Sequence, residues 1–181
     1  HTFFDAISIS VPPTIEIRDN AGKYNESLSE LNIQGNKDAI IFNQKGLNKM
    51  ERQAYEKYCR IMLTIIPGEY GDFLKRNETE AFSADDVQLF HELVESELGP
   101  KSSLIGEISY KWICVNNANG ILLSYKRTGT DFYANKAVDC KLLLFQDDNR
   151  MIKMILSYRD AESNLWKDDF DNVLRTFKWI N

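Results

Sequence analysis

The chain has 181 residues, 43% of them hydrophobic, 27% charged and 12% aromatic, a balance that supports a real core and excludes a wholly disordered polypeptide. A net charge of −5, with no stripe of Lys and Arg to offset it, weighs against nucleic-acid binding. Apolar runs such as 142–145 fall far short of the roughly 20 residues of a membrane-spanning helix. The length suits one domain, expected to occupy 1–181.

The first expected element is a half-buried strand over 6–11, where apolar and polar residues alternate until Pro12 and Pro13 stop it. Ile15 and Ile17 continue it after that break. Residues 19–37 are polar, with Gly22 and Gly35, and read as a long loop. A short strand follows at 39–43. Asn48 stands three positions before Glu51, a pair suited to cap a short helix through Tyr58. Residues 58–66 are apolar and β-branched and end at Pro67 and Gly68, which marks a strand.

Ser83 opens a helix. Its hydroxyl can accept from a free backbone N–H, and Asp85 and Asp86 suit the positive end of the helix dipole. Val87, Phe90, Val94 and Leu98 recur at helical spacing, and Gly99 and Pro100 end the element. Strands are then expected at 105–115, 121–127, 138–146 and 151–158. In the turn at 116–120, Asn119 and Gly120 supply residues that tolerate positive φ. Polar residues around 128–131 and at 147–149 make the next connections. Links this short force antiparallel pairing, because a parallel crossover needs a dozen or more residues. From 165 to 179, Trp166, Phe170, Val173, Leu174 and Phe177 fall on one helical stripe. The expected fold class is therefore α+β, an antiparallel sheet with flanking helices and a C-terminal amphipathic helix packed on it.

Alternate residues divide the hairpin strands into two faces. One set is strongly apolar: Tyr110, Trp112 and Cys114; Ile121, Leu123 and Tyr125; Val138, Cys140, Leu142 and Leu144; Ile152, Met154, Leu156 and Tyr158. The other holds Lys111, Lys126, Lys141 and Lys153 but also Ile113, Val115, Leu143, Phe145 and Ile155. A fully solvated face does not carry that many large apolar groups. The C-terminal helix is expected on the first set. The second needs its own cover, from the N-terminal excursion and the middle helix or from a partner. Ile113, Val115, Leu143, Phe145 and Ile155, with Glu92 and Glu95 on the acidic helix, are the candidate interaction residues.

An odd count of three cysteines argues against a disulfide framework. Cys59, Cys114 and Cys140 each sit in an apolar run and read as unpaired core thiols, with a Cys114–Cys140 bridge as the alternative. His91 and Glu95 fall short of the zinc-protease pattern, which needs a second His where Glu95 stands. The acids from Glu78 to Glu97, with no Lys or Arg among them, read as a solvated helix face; a cation site is the functional alternative. Asp147 with Asp148, and Asp168 with Asp169, sit where a hairpin turn and a first helical turn want acids. No metal or cofactor is expected. Tyr110, Trp112 and Tyr125 could line a pocket between sheet and helix, but read first as core.

A Pro-terminated first strand (Ile7-Ser-Ile-Ser-Val-Pro12), a string of antiparallel strands, Leu156-Ser-Tyr158, then Trp166-x-x-x-Phe170 and Thr176-Phe177-x-Trp179 together resemble the PsbP-like superfamily. The resemblance implies an α/β/α sandwich and a binding or scaffold module, not an enzyme. Its members include photosynthetic lumen proteins, a nuclear-import cofactor, bacterial lipoproteins and secretion chaperones, so no one role transfers. No binding motif of that family falls on defined positions of this chain. The expectation is an exported bacterial protein, periplasmic or secreted, or lipid-anchored through a segment upstream of His1, with a cytoplasmic location as the alternative. It is expected to be a monomer or weak homo-oligomer with an unidentified protein partner. A small-molecule carrier or unrecognised enzyme with a pocket between sheet and helix is the rival reading.

Overall fold

The computed structural model describes residues 1–18, 39–129 and 135–180. The loop expected at 19–37 and part of the connection at 128–131 lie outside the described residues. Seven strands form one antiparallel sheet in the order β3-β4-β5-β9-β8-β7-β6. They are β3 (Ile15–Ile17), β4 (Ile40–Gln44), β5 (Cys59–Pro67), β6 (Leu104–Val115), β7 (Ala118–Thr128), β8 (Ala137–Asp147) and β9 (Arg150–Arg159). A small second sheet joins the chain ends: β1 (Thr2–Phe3), β2 (Ile7–Ser8) and β10 (Lys178–Trp179), with β2 in the middle. The helices are α1 (Arg52–Tyr55), α2 (Ala84–Glu97) and α3 (Ser163–Arg175).

Strand pairing decides what each face carries. Across the β8–β9 hairpin Asp147 pairs with Arg150, so odd residues of β8 stand opposite even residues of β9. Paired residues point to the same side of a sheet. Leu143 and Phe145 therefore share a face with Ile152, Met154, Leu156 and Tyr158. This corrects the expected division: β9 changes sides, while β6, β7 and β8 keep their places. The expectation failed because a two-residue turn reverses the parity that simple alternation carries through.

The two faces are covered from within the chain. Leu143, Phe145, Ile152, Met154, Leu156, Ile61, Leu63 and Phe42 pack with Trp166, Phe170 and Val173 of α3, and with Phe177 and the N-terminal Phe3, Ile7 and Ile9. Ile121, Leu123, Leu142, Leu144 and Ile155 pack with Phe90 and Val94 of α2. The result is an α/β/α sandwich, and it corrects the expected cover: α3 lies on Leu143 and Phe145 of the mixed set, while Ile121, Leu123, Leu142 and Leu144 of the strongly apolar set lie under α2. The side chains of α3 that vanish into the core contribute roughly 1.5–3 kcal/mol each before entropy.

α2 begins as its sequence dictates. Ser83 Oγ accepts from the Asp86 N–H at 3.1 Å and the Asp86 carboxylate accepts from the Ser83 N–H at 2.7 Å. α1 does not. Its N-cap is Glu51, without a side-chain cap, because Asn48 is engaged elsewhere: its side-chain amide donates to Ile17 O at 2.7 Å. α1 is held instead by buried Gln44, whose amide donates to Ala54 O and Lys57 O, both at 2.8 Å, and accepts from the Cys59 N–H. The last helix also ends sooner than expected. The chain leaves it at Thr176, and Lys178 and Trp179 pair with Ser8 and Ile7. Of the strand expected over 6–11, only Ile7–Ser8 forms.

The turn between β6 and β7 is Asn116–Asn117, both at positive φ (46° and 63°), and not the Asn119–Gly120 pair. Gly120 instead makes room for a ring. A Cβ there would lie 2.7 Å from Phe145 Cδ1. Phe145 is fully buried and stacks on Phe177 with ring centroids 3.9 Å apart. All three cysteines are free. Cys114 is exposed, not core, because it lies on the edge strand β6. It is level with Asn119 and so with the far end of β8, about 20 Å along the strand from Cys140 by strand rise. The Cys114–Cys140 bridge is thereby ruled out.

Gly120→Ala should cost roughly 1–3 kcal/mol by overpacking against a ring that has no room to retreat. Urea unfolding measures this, and adding Phe145→Leu should recover part of the loss. An unchanged Gly120→Ala stability would contradict the contact.

Candidate functional site

A cleft of about 330 Å³ opens at one end of the sheet, on the α3 side. Its floor carries Ser124 and Lys126 of β7, Asp139 and Lys141 of β8 and Tyr158 of β9, with Ile105 and Glu107 of β6 at its rim. The rim exists because β6 is irregular there. Pairing with β7 slips by two residues between Ile105 and Ser109, and Gly106 takes a positive φ of 72°. The bulge swings the edge strand aside and unroofs the floor.

The floor is built of opposed charges. Lys126 Nζ lies 3.5 Å from Asp139 and 3.2 Å from Asp160, and Lys141 Nζ lies 3.3 Å from Asp171 on α3. Asp139 and Asp160 share Lys126 as a partner and so stand close to each other, which pushes their titrations apart. Burial first, then the adjoining Asp160, pushes the Asp139 carboxyl above the usual carboxylate range. Hydrogen bonds from Lys126 and then Asp139 hold Asp160 below it. Burial likewise raises the Tyr158 phenol. Two lysines set against three carboxyls leave a floor of opposed charges with many donors and acceptors.

The residues singled out from the sequence lie elsewhere. Leu143 and Phe145 are fully buried beneath α3 and the chain ends, Ile113 and Val115 pack at the margin of that core, and Ile155 is buried beneath α2. Glu92 and Glu95 are exposed on α2. Among the described residues no group of three or more His, Cys, Asp or Glu could hold a metal ion. Glu97 forms an ion pair with Lys153 of the sheet, and Asp86 serves the helix cap. Asp147 is clasped by Arg76 at 2.9 Å and Arg150 at 3.0 Å, and Asp169 accepts from Thr14. Tyr110 and Trp112 do not line the cleft. They join Phe82 and Phe90 in an aromatic cluster on the opposite face, where Phe82 stacks on Trp112 at 5.2 Å. The Trp112 indole N–H donates to Glu80 O and fastens the segment before α2. Tyr125 is buried. The cleft residues were not found by motif. Their one signal is that Lys126 and Asp139 fall opposite each other once β7 and β8 are paired.

No family model and no curated protein sequence matches this chain. Solved structures do resemble it. Cyanobacterial PsbP (CyanoP) from Synechocystis sp. PCC 6803 superposes with a TM-score of 0.55 at 15% identity, covering 97% of this chain and 88% of that one. LpqN, involved in cell envelope biogenesis of Mycobacterium tuberculosis, superposes with a TM-score of 0.52 at 10% identity, covering 97% and 83%. The fold is PsbP-like. No helix among the described residues is long and apolar enough to cross a membrane.

The carboxyl pair predicts a distinctive pH response. A raised folded-state pKa makes the stability from protonated Asp139 complete below the unfolded value and lost as pH rises through the folded one. Asp160 works the other way, its contribution fading as pH falls. The thermal midpoint of Asp139→Asn, relative to the parent, should therefore rise between pH 3 and pH 7. Carboxyl-carbon NMR should show Asp139 titrating above Asp160. A flat difference with coincident titrations would contradict the opposed shifts.

Proposed function

We propose that the protein is a non-enzymatic binding module, exported by a bacterium, that holds a small polar ligand of low net charge in the cleft over Ser124, Lys126, Asp139 and Lys141. The cleft carries this reading: it is open, partly floored by apolar surface, and lined with charges that already neutralise one another. A ligand with a full charge would have to break one of those pairs, whereas hydroxyl or amide groups find donors and acceptors in place. Binding without catalysis fits a floor whose ionisable groups are tied to each other and not aimed at a reacting atom. Export is supported by the likeness in fold to LpqN, a protein involved in cell envelope biogenesis.

Covering both sheet faces with the chain's own helices removes the apolar docking surface that a scaffold reading would need. The cleft therefore favours a small ligand over a protein partner.

Ligand-observed NMR with a library of neutral polar fragments tests this, run on the parent and on Ser124→Trp, whose side chain fills the floor. Fragments bound by the parent and lost at least tenfold in the variant are expected. No binders, or equal binding to both proteins, would overturn the proposal.

A further inference from the structure

The opposite face of the same sheet end carries a second polar arrangement, independent of the cleft. Asn43, Arg60, Ser157, Cys140 and Tyr125 stand in one row across five strands, each directly opposite the next. One step along, the Arg127 guanidinium donates to the Tyr58 hydroxyl at 3.1 Å, and that hydroxyl lies 3.1 Å from Ser157 Oγ. Arg127 also donates to Thr128 O at 3.0 Å.

The row is short of acceptors. Asn43 is only 6% exposed, yet its side-chain nitrogen has no hydrogen-bond partner among the described residues, and neither has Arg60 Nε. Arg60 Nη2 reaches only the weak acceptor Met62 Sδ, at 3.6 Å. No carboxylate among the described residues pairs with Arg60 or with Arg127. Gln44, the neighbour of Asn43, shows the contrast: buried on the other face, its amide makes three hydrogen bonds. Buried donors are nearly always satisfied, and a part-buried guanidinium normally has a counter-ion. Two adjacent donors left open beside a second arginine, in a chain of net charge −5, describe a site lacking its anion.

We propose that Asn43 and Arg60 form an oxyanion-binding site for a carboxylate-bearing small molecule. One oxygen accepts from Arg60 Nε and the other from the Asn43 amide, two donors on one face of directly paired residues, as the flat two-oxygen group of a carboxylate requires. Arg127, held by Tyr58, adds positive potential from the side. Met62 and Ile155, in the next row of the same face, give the body of such a ligand an apolar neighbour.

The test follows the Arg60 Nε–H and Asn43 amide signals by NMR during titration with sodium benzoate, with inorganic phosphate as a second arm and ionic strength held constant. Saturable shifts of both signals with benzoate at millimolar concentration are expected, at least tenfold weaker with phosphate and in Arg60→Lys. Asn43→Leu should abolish benzoate binding and raise the thermal midpoint of the free protein, because it removes an unpartnered donor. A purely structural asparagine would give a lower midpoint. The proposal falls if benzoate shifts neither signal, if phosphate binds more tightly than benzoate, or if Asn43→Leu lowers the midpoint and leaves benzoate binding intact. Fragment binding in the cleft, on the other face, leaves these signals unmoved, so the two sites succeed or fail separately.

Discussion

The pairing of Asp147 with Arg150 across a two-residue turn is the constraint on which the rest of the structure depends. It sets the parity of β9 against β8 and so selects the face on which Ile152, Met154, Leu156 and Tyr158 stand. Asp148 takes a positive φ of 59° in that turn. The Asp147 carboxylate fixes the hairpin by accepting from Arg76 and Arg150 at once, and Arg150 lies over the Trp179 ring. One residue of slip would exchange every side chain of β9 between faces. It would place Lys153 and Ser157 under α3 and strand Met154 and Leu156 under α2.

With this parity, apolar residues fill the middle of both faces and polar ones gather at one end of the sheet. Along β7 and β8 the alternation is strict. Ser124, Lys126, Asp139 and Lys141 serve the cleft, which Tyr125 and Cys140 also border, while by register Tyr125, Arg127 and Cys140 belong to the arginine face. The same short stretches of strand therefore furnish two polar regions with opposite needs. In the cleft, lysines and carboxyls neutralise each other. On the other face, guanidinium and amide donors outnumber their acceptors among the described residues. The termini and the helices α2 and α3 cover the two faces, and the polar groups of this sheet end lie beyond that cover.

Much of the architecture was legible in the sequence. Ser83 with Asp86 announced α2, the Trp166–Phe170–Val173 stripe announced α3, and the hairpins announced an antiparallel sheet. These signals are local, written in caps and periodicity. What was not legible depended on counting across turns. Asn119–Gly120 looked like a turn, but Asn116–Asn117 turned first, and Gly120 is needed where a buried ring lies against the backbone. Ile155 and its neighbours on β9 exchanged faces for the same reason. The candidate site was hidden more deeply. Asp139, Asp160 and Lys126 meet through strand register and a bulge in β6, neither of which leaves a motif. Asn43 beside Arg60 is equally silent until β4 and β5 are paired.

The division of the faces is tested most directly by methyl-resolved NOE spectroscopy. Met154 and Leu156 methyls should show contacts to the Phe170 ring, and the Ile155 methyl to Val94 and Phe90. Contacts from Ile155 to Phe170, with Met154 and Leu156 near Val94, would place β9 in the other parity and contradict the account.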